Sequence, residues 1–152
     1  GHFDPLIAEC EKLRHRFDFK AQIGSGVVLP SFPHYRTAPP QQIEADMAES
    51  ELVISHGGTG MLSMIYGLKK RTVIAPKQIC YGESNNGQVE LATQWAELGM
   101  GILCLDVTRL DLAIEECRRT EPFFPIFPSL GKHLRRELAQ TVSLKPYGLY
   151  NS

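Results

Sequence analysis

Glu51-Leu52-Val53-Ile54-Ser55-His56-Gly57-Gly58-Thr59-Gly60 is the stretch from which the fold can be read. Leu52, Val53 and Ile54 form an apolar run too short for a helix, and the glycines behind it predict a buried strand running into a turn. Residues 61–66 then carry a helical pattern closed by Gly67, and Thr72-Val73-Ile74-Ala75 reads as a second strand stopped by Pro76. Strand, helix and strand in so short a span make a crossover unit, and such units build parallel sheets covered by helices. Downstream, residues 86–98 predict a helix with Val89, Leu91, Ala92, Trp95 and Leu98 available for burial and Gly99 in the C-terminal cap. Residues 102–105 give a last strand, and residues 108–118 the next helix. Upstream, residues 41–50 are helical around Ile43 and Met47, with a short strand expected near Tyr35. Phe17, Phe19, Ala21 and Ile23 alternate as a strand ending at Gly24. Asp4 and Pro5, as N-cap and first helical residue, open a helix carrying Leu6, Ile7, Cys10, Leu13 and Phe17. The expected fold is α/β, a Rossmann-like parallel sheet with helices on both faces.

The 152 residues are 43% hydrophobic, enough for one packed core. Sixteen basic against 17 acidic side chains leave a net charge of −1, which removes the electrostatic case for a nucleic-acid partner. No apolar run approaches the roughly 20 residues that span a bilayer. Cys10, Cys80, Cys104 and Cys117 show no C-x-x-C pair and read as buried thiols of a reducing, cytoplasmic compartment. Residues 1–121 form the expected α/β domain. Residues 122–152 are set apart by Phe123, Phe124, Ile126 and Phe127 among prolines, then by a helix over residues 132–142 with Leu134, Leu138 and Val142 on one stripe. That tail reads either as a strap packed on the domain or as a docking surface for another protein.

In open α/β sheets ligands sit beyond the carboxyl ends of the strands, where backbone N–H groups at a helix N-terminus can meet a phosphate. His56 to Gly60 has that placement, with no carboxylate to repel an anion; the bland alternative is a tight turn with no ligand. Three rival motifs fail. A dinucleotide fingerprint needs a glycine where Ser63 stands and an acid at the end of the next strand, a P-loop needs Gly-Lys-Ser/Thr, and an esterase needs a G-x-S-x-G elbow. A second segment, Gly82-Glu83-Ser84-Asn85-Asn86-Gly87-Gln88, gathers amides and a carboxylate suited to sugar hydroxyls, although Asn85 or Asn86 also suits an N-cap.

Taken in order, the run from Glu51 to Gly60, Ala75-Pro76, Gly82-Glu83 and Asn85-Asn86-Gly87-Gln88-Val89-Glu90-Leu91-Ala92 resembles the glycosyltransferase family 28 C-terminal domain over residues 3–117. It is most similar to the small single-domain members, the donor-binding subunits of two-chain UDP-sugar transferases of dolichol-linked N-acetylglucosamine transfer and bacterial exopolysaccharide synthesis. The resemblance implies the C-terminal-half type of a GT-B glycosyltransferase. The family opens with a strand ending in Val-Gly-Thr before a segment like Phe3-Asp4-Pro5-Leu6-Ile7, so a core that lacks or borrows one central strand is expected. His56, Gly57, Gly58, Thr59 and Gly60 would hold the donor diphosphate, with Glu83, Asn86 and Gln88 around the sugar. The donor is a substrate; no cofactor and no metal are expected, and the sequence has no D-x-D pair.

The resemblance also implies a membrane-anchored acceptor-binding subunit, for which the segment from Pro122 to Val142 is the docking candidate, and a position at the inner membrane face through that partner. His2 is the candidate base for the acceptor hydroxyl. Two alternatives stand beside this reading. One is a degenerate, non-catalytic partner, suggested by Met61 and Met64, where many family members carry a hydroxyl and an acidic residue. The other is a plain nucleotide-binding module.

Overall fold

The computed structural model describes residues 2–83 and 85–126. The expected helix over residues 132–142, Phe127 and Ser84 lie outside the described residues. In chain order the elements are α1 (Asp4–Lys12), β1 (Ala21–Gln22), β2 (His34–Tyr35), α2 (Pro40–Glu49), β3 (Val53–Ser55), α3 (Thr59–Leu68), β4 (Thr72–Ile74), α4 (Gly87–Glu97), β5 (Ile102–Leu103) and α5 (Leu110–Arg119). Single 3₁₀ turns cover Ile79–Tyr81 and Val107–Arg109.

All strand pairs are parallel, but they form two sheets, β1-β2 and β3-β4-β5. A groove of about 740 Å³ lies where the two sheets would join, with Phe17, Phe19 and Ala21 on one bank and Leu52 and Ile54 on the other. Every residue of β3 and β4 is buried, as strands covered on both faces must be. Side-chain alternation sorts them into two cores. Ile54, Val73 and Ala75 pack with Leu6, Ile7 and Cys10 of α1 and Leu110, Ala113 and Ile114 of α5. Val53 and Ile74 pack with Ile43 and Met47 of α2, Met61, Leu62 and Ile65 of α3, and Trp95 of α4. The fold is a Rossmann-like α/β domain with helices on both faces.

Several local expectations need correction. The strand expected over residues 17–23 shortens to Ala21–Gln22, because β2, its one partner, is itself two residues long and follows Pro33. Gly67 does not close α3: the helix runs through it to Leu68, and Lys69 takes the left-handed cap at φ 51°. Asp4 does not cap α1. Phe3 is the N-cap, and the Asp4 carboxylate instead accepts the Val27 and Val28 N–H groups, both at 3.3 Å. Gly99 behaves as expected, at φ 84° with its N–H on Ala96 O, ending α4.

Cys10, Cys104 and Cys117 are buried, and burial pushes their thiols up to about 12, 11 and 11. Cys80 is exposed, against expectation, because it sits in the 3₁₀ turn outside the core. The described part of the tail is a strap. Phe123 N–H donates to Gly99 O at 2.8 Å, the Phe124 ring meets Tyr66 at 6.0 Å, and Tyr66 Oη donates to Pro125 O at 2.6 Å. Phe123 and Ile126 remain exposed.

Candidate functional site

The chain leaves β3 at Ser55 and turns sharply, and each glycine in the turn has its own reason. Gly57 has φ +90°, a region that side-chain-bearing residues rarely adopt, and an added Cβ would meet Ile74 Cγ2 at 3.1 Å. Its N–H donates to Ser55 Oγ at 3.1 Å, so the buried serine holds the turn. Gly58 is the N-cap of α3, and a Cβ there would lie 3.1 Å from His56 Cε1. The imidazole, before any ligand, is what a side chain at Gly58 would strike. Helix geometry then delivers the N–H groups of the first turn of α3, from Thr59 and Gly60, at this end, together with the positive pole of the helix dipole.

His56 is only 4% exposed and is oriented from across the site. Its Nδ1 lies 3.2 Å from Gln88 Oε1, and since an amide oxygen only accepts, Nδ1 carries the proton. The same oxygen accepts the Lys77 backbone N–H at 3.2 Å. Gln88, in the first turn of α4, thus pins together the segments that follow β3 and β4. Both of its amide N–H groups are left over from these two bonds.

These segments wall a cleft of about 620 Å³. His56, Gly57, Gly58, Thr59, Gly60, Gln88 and Glu83 all line it, so the glycine loop and most of the second segment come together as expected. Asn86, the N-cap of α4, is not among its walls; its Oδ1 accepts the Ile79 N–H at 2.8 Å, while Asn85 Oδ1 accepts the Gly87 N–H at 2.7 Å. His2 lines the cleft and is exposed, with Nδ1 3.4 Å from Ser25 Oγ. His15 and His34 are exposed and away from the cleft. Met61 both lines the cleft and is buried at 1% exposure, whereas Met64 packs against the core on the α2–α4 side.

Three wall residues escaped the sequence reading. Lys77 lines the cleft with 8% of its surface exposed. Its signal was available: it stands directly after Ala75-Pro76, at the carboxyl end of β4. Phe3 and Tyr81 pack ring to ring at 5.4 Å and close the floor. Burial raises the Tyr81 phenol, which stays protonated, donates to Leu105 O at 3.3 Å and accepts the Val107 N–H at 3.1 Å. It is a brace. Among the described residues no group of His, Cys, Asp and Glu is placed to hold a metal ion, and no helix is long and apolar enough to cross a membrane.

A helix N-terminus, a glycine turn and a buried lysine thus meet at the carboxyl ends of parallel strands, the place where open α/β sheets set their ligands. The glycosyltransferase family 28 C-terminal domain matches residues 11–126, and the chain belongs to that family. Among solved structures it is similar to one titled as the glycotransferase of kitacinnamycin, with a TM-score of 0.57 and 19% identity over 90% of this chain. The likeness spans 35% of that longer chain and establishes the fold, the C-terminal half of a GT-B glycosyltransferase. No curated protein matches the sequence.

Proposed function

We propose that the chain is the donor-binding half of a glycosyltransferase, holding a UDP-sugar for transfer of a hexose or N-acetylhexosamine to a lipid-linked or polysaccharide acceptor. The observation that carries this reading is the cleft itself, in which the Gly57–Gly60 turn, the start of α3 and Lys77 converge. The acceptor oxygen attacks the anomeric carbon as the bond to the diphosphate breaks, the electron pair departing on the β-phosphate oxygen. Amides fixed at the helix N-terminus offset that charge with no reorganisation, the usual source of the largest catalytic gain. The hydroxyl proton passes to a base, for which the candidate is His2, an exposed imidazole that lines the cleft. The acceptor wall comes from a partner docked near residues 122–142, which keeps the complex at the cytoplasmic face of a membrane.

Thermal unfolding with added nucleotides tests the reading. UDP at about 100 times its dissociation constant adds about 2.7 kcal/mol to stability, while NAD and ATP leave the melting temperature in place. A melting temperature indifferent to millimolar UDP overturns it. One observation favours a second reading, a degenerate partner without donor binding: the apolar Met61 side chain stands in the first turn of α3, where the ligand would lie.

A further inference from the structure

We infer that Gln88 is a positioning residue of the cleft: its carboxamide oxygen fixes the tautomer and the plane of the His56 imidazole, and that ring seats the glycine turn at the head of α3. The ligand part of the inference rests on the nucleotide-sugar reading above. The part that concerns the imidazole stands on the structure alone.

Three observations carry it. First, the two contacts of one atom define each other. A backbone N–H can only donate, so the atom 3.2 Å from Lys77 N is the oxygen of the carboxamide and not its nitrogen. His56 Nδ1, 3.2 Å from the same oxygen, is then the protonated nitrogen, and the neutral ring keeps its lone pair on Nε2. Second, the imidazole lies against the turn. It is 4% exposed, and a Cβ on Gly58, the N-cap of α3, would stand 3.1 Å from its Cε1, 3.5 Å from Nε2 and 3.9 Å from Nδ1. The Gly58 carbonyl in turn accepts the Met61 and Leu62 N–H groups, both at 3.0 Å, that open the helix. How the ring is turned therefore sets where Gly58 sits, and with it the first turn of α3. Third, the oxygen is fully used. A carbonyl oxygen has two lone pairs, and two protein donors occupy them, so Gln88 keeps no acceptor for a ligand. That oxygen acts on ligand binding through His56.

Nitrogen NMR of the His56 ring in the intact, unliganded chain tests the first part. The spectrum shows Nδ1 protonated. Gln88→Met, which removes the acceptor, loses that preference, and Gln88→Glu, whose carboxylate can accept the same two bonds, keeps Nδ1 protonated. A ring protonated only on Nε2 in the unaltered protein, or one unchanged by Gln88→Met, overturns the inference. A double-mutant cycle read by calorimetry with UDP tests the ligand part. Gln88→Met weakens UDP about 10-fold in the unaltered background and by less than about twofold in a His56→Ala background, where the ring it acts through is gone. A loss that persists in full without His56 makes Gln88 a direct ligand contact and overturns the positioning role. An unaltered protein that binds no UDP overturns the nucleotide-sugar reading and the ligand part with it, while the ring spectrum still decides the first part.

Discussion

Two hollows among the described residues differ in kind, and the larger of the two is the less suited to chemistry. The groove between the sheets measures about 740 Å³ and is banked by Phe17, Phe19, Leu52 and Ile54. The cleft beyond β3 and β4 measures about 620 Å³ and is walled by a glycine turn, a helix N-terminus, an oriented histidine and a buried lysine. The groove belongs to the sheet: β1 and β3 are edge strands with every residue buried, and alternate backbone groups of a parallel strand point to its unpaired side. The cleft belongs to the turns. Placement relative to strand ends, not volume, separates a gap in the architecture from a place where a ligand is read.

The largest expected effect is at Gly57. Valine there must adopt φ +90° against Ile74, so Gly57→Val costs about 2–4 kcal/mol of stability and at least about 100-fold in UDP affinity, by denaturant unfolding and calorimetry. Normal UDP binding in that variant would detach the cleft from the turn. Leu52→Ala, on the bank of the groove, costs about 1–2 kcal/mol of stability but leaves the UDP dissociation constant unchanged. A parallel loss of affinity would merge the two hollows into one site. Gly67→Ala is the control within α3. A Cβ there meets nothing within 4 Å, and removing an interior helix glycine stabilises by about 0.5–1 kcal/mol with no effect on ligand.

A pH measurement separates the two regions more gently. Asp46 lines the groove. Burial would raise its carboxyl, but hydrogen bonds from Lys20 at 2.9 Å and Tyr35 at 2.8 Å outweigh it and hold the pKa below the usual value. A depressed folded-state pKa means that the contribution is present at neutral pH. It is lost as pH falls below about 4, through the unfolded and then the folded pKa. Asp46→Asn should therefore be less stable at pH 7 and show a shallower acid transition. An unchanged acid transition would remove Asp46 from the groove's support.

The regions also differ in how legible they were. The three-stranded side could be read from residues 52–54, 72–75 and 102–105, because apolar runs between turn signals are local patterns, and Gly99 marked its helix end for the same reason. The two-stranded side could not. Phe17 and Phe19 alternate like a strand, but a strand needs a ladder partner, and β2 offers two residues. Asp4 looked like a cap and is instead bound to amides 23 and 24 residues away. Within the site, the glycine turn was visible as a motif. The joint anchoring of His56 and Lys77 by one oxygen of Gln88 was not, since it spans 32 and 11 residues and depends on where β3 and β4 end. That a side chain at Gly58 would first strike the His56 ring was not legible either, since it depends on how the imidazole is turned.

The most direct measurement of the central claim is a residue-resolved one: backbone amide NMR shifts of the intact chain during UDP titration. The account predicts the largest shifts at Gly57, Gly58, Thr59, Gly60, Lys77 and Gln88, with Phe19, Ala21, Leu52 and Ile54 unmoved. Shifts gathered on the groove residues, or no shifts at saturating UDP, would contradict it.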